Sequence, residues 1–149
     1  MELETDLLER VESFLSENTD IANVAIIDDI DEIPTEAGYP ALGIFDGGDQ
    51  PGRGASECIH SHLVFVVIYA EVLGSHRETV LEVREIWKTL KMLIPQSENF
   101  ENGGVFEGFS HCRYVKSSKI LKITKKDKKD SFIAMKIPLF DFTELVVEV

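Results

Sequence analysis

Cysteine, tryptophan and proline are scarce in this chain, and basic charge is outnumbered by acidic. Of 149 residues, two are cysteine, one is tryptophan and five are proline. Two cysteines, Cys58 and Cys112, cannot build the disulfide framework of a small secreted domain, so a reducing compartment is expected. No apolar run reaches membrane length. The longest, Leu63 to Ala70, is eight residues, against the roughly 20 that a spanning helix needs. Met1-Glu2-Leu3-Glu4 carries neither the basic region nor the apolar run of a signal peptide, and a cytoplasmic protein is expected. With 15 basic and 27 acidic side chains the formal net charge is −12. That counts against nucleic acid as the main partner, because phosphate binding needs a net positive surface.

What is present argues for one folded unit. The chain is 44% hydrophobic, too apolar for wholesale disorder, and its length suits a single domain with a sizeable core. Leu3, Leu7, Leu8, Val11, Phe14 and Leu15 recur at helical spacing, with Glu4, Asp6, Glu9 and Glu12 on the other side. Val24–Ile27 reads as a short strand and Tyr39–Phe45 as a second, with Pro40 at its start. Asp46–Gly54 holds four of the ten glycines and reads as a mobile connection. Ile59–Val72 is the strongest strand, apolar on both faces, which predicts cover on both sides by helices or a neighbouring subunit. Ser75 and Glu78 form a capping-box pattern ahead of a second helix. Val80, Val83, Ile86, Trp87, Leu90, Leu93 and Ile94 make its apolar stripe, and Pro95 ends it. Gln96–Gly108 reads as a loop. Arg113–Thr124 and Ser131–Phe140 alternate as the arms of a long β-hairpin, about 112–140, around the charged tip Lys125–Asp130. Leu145–Val149 could add a last strand. The expectation is one α+β domain over 1–149: a mixed or antiparallel sheet packed against two main amphipathic helices, with the long charged hairpin.

Candidate sites for chemistry are weak. Cys58, His60 and His62 alternate on one strand face and could converge on zinc, with His111 and Cys112 as a second cluster. The ordinary reading is a polar strand edge, since no CxxC or HxxxH spacing occurs and His111 and Cys112 point to opposite faces. The glycine-rich stretch fails as a phosphate loop because it leads into a strand, no lysine follows, and Asp46, Asp49 and Glu57 would repel an anion. It also lacks the ligand spacing of a calcium loop. Ser61 lies between His60 and His62, but neighbours along a strand face opposite ways, so neither histidine can activate it. Asp28, Asp29, Asp31 and Glu32 read as solvated surface. No enzyme, cofactor or metal is expected.

Charge distribution is the more informative signal. Arg113–Asp130 carries eight basic and two acidic residues, a net of +6, so the other 131 residues carry −18. The first 36 residues alone carry −11. Opposed patches on identical copies attract head to tail, and such contacts close into rings when the rotation permits. Lys119, Lys122, Lys125, Lys126, Lys128 and Lys129 are the candidate interface residues. The competing reading is that these lysines only protect a sheet edge from aggregation.

The order of elements, with the Pro-led Tyr39–Gly48 segment, the strand His60–Val72 and the helix Ser75–Ile94, resembles the tail terminator (tail completion) proteins of long-tailed phages, over most of residues 1–115. The resemblance implies a small α+β subunit of a homo-oligomeric, hexameric ring. Such a ring sits on the end of the tail tube, stops its growth and offers the surface to which the head joins. The implied partners are the protein itself, the tube and head-completion proteins, with no membrane and no sequence-specific nucleic acid. The implied location is the host cytoplasm during assembly and then the virion tail. Asp46–Glu57 and Gln96–Gly108 would order on meeting neighbours. The lysine-rich hairpin departs from the commoner form. Two alternatives remain: a cytoplasmic ligand-binding or adaptor domain with a concave apolar pocket near Trp87, and a metal-dependent enzyme built on Cys58, His60 and His62.

Overall fold

A computed structural model describes residues 3–30, 32–33, 38–51, 59–125 and 128–145. Helix α1 spans Leu3–Asn18 and is followed by β1, Asn23–Ile26. Strands β2 (Ala41–Pro51) and β3 (Ile59–Val72) lead to helix α2, His76–Leu93. A single 3-10 turn, Ser97–Phe100, precedes β4 (His111–Ser117), β5 (Leu121–Lys125), β6 (Lys128–Lys136) and β7 (Pro138–Leu145). The expected α+β architecture is what is found: two helices on one seven-stranded mixed sheet, antiparallel except for the β1–β2 pair.

The long hairpin explains most of the topology. β7 and β6 run end to end along β3 in a single register, from Ile59 opposite Leu145 to Val72 opposite Phe132, interrupted at Ile137. On their outer side β4 pairs with β7 and β5 with β6. The two arms therefore extend over 111–125 and 128–145, longer at the base than the expected 112–140. Lys126 and Asp127, at the tip, and the expected last strand beyond Leu145 lie outside the described residues.

Period-two alternation sorts the sheet into two faces. Val64, Val66, Ile68 and Ala70 of β3, Leu42 and Ile44 of β2, and Phe140 and Phe142 of β7 join Leu7, Val11, Phe14 and Leu15 of α1 and Val83, Trp87 and Leu90 of α2 in the main core. The opposite face carries a smaller core of Ala41, Val67, Tyr69, Ile133 and Met135, closed by Ile27. Here the chain covers its own sheet: the Tyr69 hydroxyl donates to the Ile30 carbonyl at 2.6 Å, fixing the connection after β1 across that face. Gly43 permits the crossing, because a Cβ there would lie 2.7 Å from Ile27 Cδ1.

Two stretches differ from the sequence reading. Asp46–Pro51 continues β2 instead of forming a mobile connection. A bulge between Asp46 and Gly48 absorbs one residue, and Gly48 takes φ +88°, which glycine adopts without strain. Residues 52–58 lie outside the described set. Gln96–Gly108 is also no loose loop. Phe106 is fully buried in the main core, against the rings of Phe14, Phe100 and Phe142 at 5.4, 5.5 and 5.0 Å. The buried Asn99 side chain donates to the carbonyls of Leu93 (2.9 Å) and Ile94 (3.1 Å), satisfying groups that the end of α2 leaves open. Arg10 donates to the Glu107 carbonyl at 2.6 Å and ties the segment to α1.

Candidate interaction surface

α2 owes its position to its ends and its stripe. Ser75 caps it, its hydroxyl accepting from the Glu78 amide at 3.2 Å, as the sequence pattern predicts. Thr79, Val83, Trp87 and Leu90 are its buried residues. The rest of its surface divides by charge. Arg77, Arg84 and Lys91 recur at helical spacing on the flank toward the hairpin; Glu78, Glu82 and Glu85 recur on the flank toward α1. Between them the crest exposes Leu81 and Met92.

On the basic flank a cleft of about 450 Å³ opens between α2 and the hairpin, lined by Val80, Arg84, Trp87, Lys119, Ile120 and Lys136. Trp87 forms its floor. Lys91 Nζ stands 4.9 Å and Lys136 Nζ 5.6 Å from the indole centroid, and Tyr114 meets the indole edge-on at 5.0 Å. Lys136 donates to the Ser118 carbonyl at 2.8 Å. Its pKa is pushed down by burial and then by the positive charges of Lys91 and Arg84. Among the described residues no acidic side chain lines the cleft, and Arg84, Lys91, Lys119 and Lys136 make no ion pair.

On the acidic flank a groove of about 260 Å³ runs between α2 and the end of α1, lined by Asn18, Thr19, Asp20, Ile21, Glu85, Ile86, Thr89 and Leu90. The last turn of α1 holds no basic residue, so the negative end of its dipole adds to Asp20 and Glu85. One helix thus separates a cationic cleft from an anionic groove.

The hairpin lysines divide among several environments. Lys119 lines the cleft, and Lys122 Nζ stacks 4.2 Å over the Phe132 ring. Lys125 pairs with Glu71 of its own chain and lies over Tyr39, so its charge is already matched. Lys128 and Lys129 belong to β6; their side chains, and Lys126 entirely, lie outside the described residues. Reading the sequence for dense lysine runs misses the basic flank of α2, which contributes Arg84 and Lys91, although its i, i+7 spacing is readable.

The chemical candidates are individually engaged: His62 and Cys112 lie on the main-core face on either side of Phe142, and Ser61 lies on the opposite face. Cys58 lies outside the described residues. His62 is buried, with Nδ1 2.7 Å from Asp49 and Nε2 2.8 Å from Glu144. The ring stands between these carboxylates, so they do not converge on one ion, and no metal-binding group of three occurs among the described residues. Ser61 faces the other side and donates to Asp141 at 3.1 Å. Asp141 is almost wholly buried and is matched by Arg113, whose Nε and Nη2 each lie 3.3 Å away. Cys112 is buried, and burial, followed by the charge of Asp141, pushes its thiol pKa well up, the opposite of an activated nucleophile.

No protein-family model matches the chain, and no curated protein was found to be similar in sequence. No helix among the described residues is long and apolar enough to cross a membrane.

Proposed function

We propose that this chain is a structural subunit of a long-tailed phage or prophage tail, a tail-terminator-like protein that closes into a homo-oligomeric, hexameric ring on the end of the tail tube. The ring would halt tube growth and present the surface for head-completion proteins, first in the host cytoplasm and then in the virion. The observation that carries this reading is the separation of charge across α2. A cationic cleft on one flank and an anionic groove on the other suit head-to-tail contacts between identical copies, the kind of contact that generates rings. The sheet with both helices on one face agrees with the element order that carries the resemblance, while the long hairpin stays outside it. Ser61 and His62 are engaged by carboxylates of the chain's own strands.

The adaptor alternative draws on the same cleft, whose walls include Val80 and Ile120. A rim of cations suits an anionic protein surface better than a neutral apolar ligand. The test is to add the purified chain to polymerising tail tubes. Arrested elongation, with the chain retained at tube ends in a ring-sized complex, is the expected result. Tubes that grow on unaffected while the chain sediments as a monomer would refute the reading.

A further inference from the structure

We infer that the Trp87 cleft is the receptor for the acidic flank of a second copy, with Arg84, Lys119 and Lys136 taking the carboxylates of Asp20 and Glu85 beside the end of α1. The inference rests on the ring reading and assigns the contact that would hold the ring.

Three observations carry it. Lys91 and Lys136 stand over the indole, and Arg84 and Lys119 line the same cleft, without an acidic partner among the described residues; burial, then the charges of Lys91 and Arg84, pushes the Lys136 pKa down. A carboxylate entering the cleft relieves the repulsion among these charges, and it gains most where water is already partly excluded. The complementary groove lies on the opposite flank of the same helix, so one copy's groove can meet the next copy's cleft without using up its own. This is the requirement for a heterologous contact, and it would be absent if both patches lay on one side. Finally, the end of α1 lacks a cation in its last turn, and a neighbour's arginine or lysine would supply one.

Trp87 is the single tryptophan, so its emission reports directly on the cleft. The experiment follows wild-type chain by sedimentation velocity and tryptophan fluorescence over concentration and salt, beside two charge-reversed variants. One is Arg84→Glu/Lys119→Glu and the other Asp20→Lys/Glu85→Lys. All four positions are exposed, and circular dichroism checks that each variant folds. Each variant alone should need about 100-fold more protein to assemble, because like charges then face each other. An equimolar mixture should recover assembly to within about tenfold of wild type, since each variant's altered flank now matches the other's. Trp87 emission should shift with assembly in the wild type and in the mixture.

Wild-type assembly with silent Trp87 and no effect of either reversal overturns the assignment while the ring reading stands. A wild-type chain that never associates, even with tail tubes, overturns both. A monomer whose Trp87 responds to polyglutamate or duplex DNA also overturns the assignment and gives the cleft to a different anion. A mixture that assembles no better than its components counts equally against it.

Discussion

Phe106→Ala is the sharpest test of how the segment after α2 is held. Phe106 is fully buried and touches Phe14 of α1, Phe100 and Phe142 of β7. Truncating a buried Phe costs about 3–5 kcal/mol when the cavity does not collapse. Three ring contacts, each worth roughly 0.5–1.5 kcal/mol beyond area, place the expected loss toward the upper end. Their partners belong to three different elements, so a local shift cannot fill the space. The expected result is about 4 kcal/mol lost in urea unfolding with an unchanged m-value. That is a large fraction of the roughly 5–15 kcal/mol by which domains are stable. A segment that orders only on meeting a neighbour would give another outcome: loss under about 1 kcal/mol in the free chain, with the penalty appearing in assembly instead. That outcome would refute the placement of Phe106 in the core.

Other consequences are equally open to measurement. Cys112 holds its proton in the folded state to a higher pH than in the unfolded chain. Its contribution to stability is therefore complete below the unfolded thiol value, about 8.5, and declines above it as the unfolded state ionises, by up to about 1.4 kcal/mol per pH unit. Comparing the pH dependence of unfolding in wild type and Cys112→Ala isolates that slope; identical slopes would contradict the burial. His62→Leu removes the ring between Asp49 and Glu144 and should cost about 1–2 kcal/mol, less than a core cavity because both carboxylates can rehydrate. Added zinc should leave the melting temperature of wild type and His62→Leu alike unchanged, and a zinc-dependent rise in the wild type would revive a metal site. Among the hairpin lysines, Lys119→Gln should weaken self-association, whereas Lys125→Gln should leave it within about twofold, because Lys125 is matched by Glu71. Equal effects would show the hairpin acting only through its total charge.

How far the sequence foretold this structure depends on whether a feature is periodic or long-range. α1, β3 and the Ser75 cap were legible because apolar spacing and capping chemistry are local. The path of β2 through Gly47 and Gly48 was not, since glycine signals either a loop or a bulge, and only pairing with Leu63 decides between them. The ordered segment after α2 was hidden for a similar reason: Phe106 and Asn99 are held by partners that only folding brings together. The charged surface shows the same division. The net +6 of Arg113–Asp130 could be counted directly, but the count could not reveal that Lys125 is matched by Glu71, 54 residues away. Nor could it show that the basic flank of α2 faces the hairpin across Trp87. The two flanks of α2 were themselves written at helical spacing, overshadowed by the denser run of lysines.

The proposed head-to-tail ring through opposite flanks of α2 is tested most directly by the mass of the native assembly on tail tubes at low salt. The expected result is a closed ring of six copies at the tube end, dissociating as salt screens contacts over about 8–10 Å. A chain that stays monomeric, or forms only a salt-insensitive two-fold dimer, would contradict it.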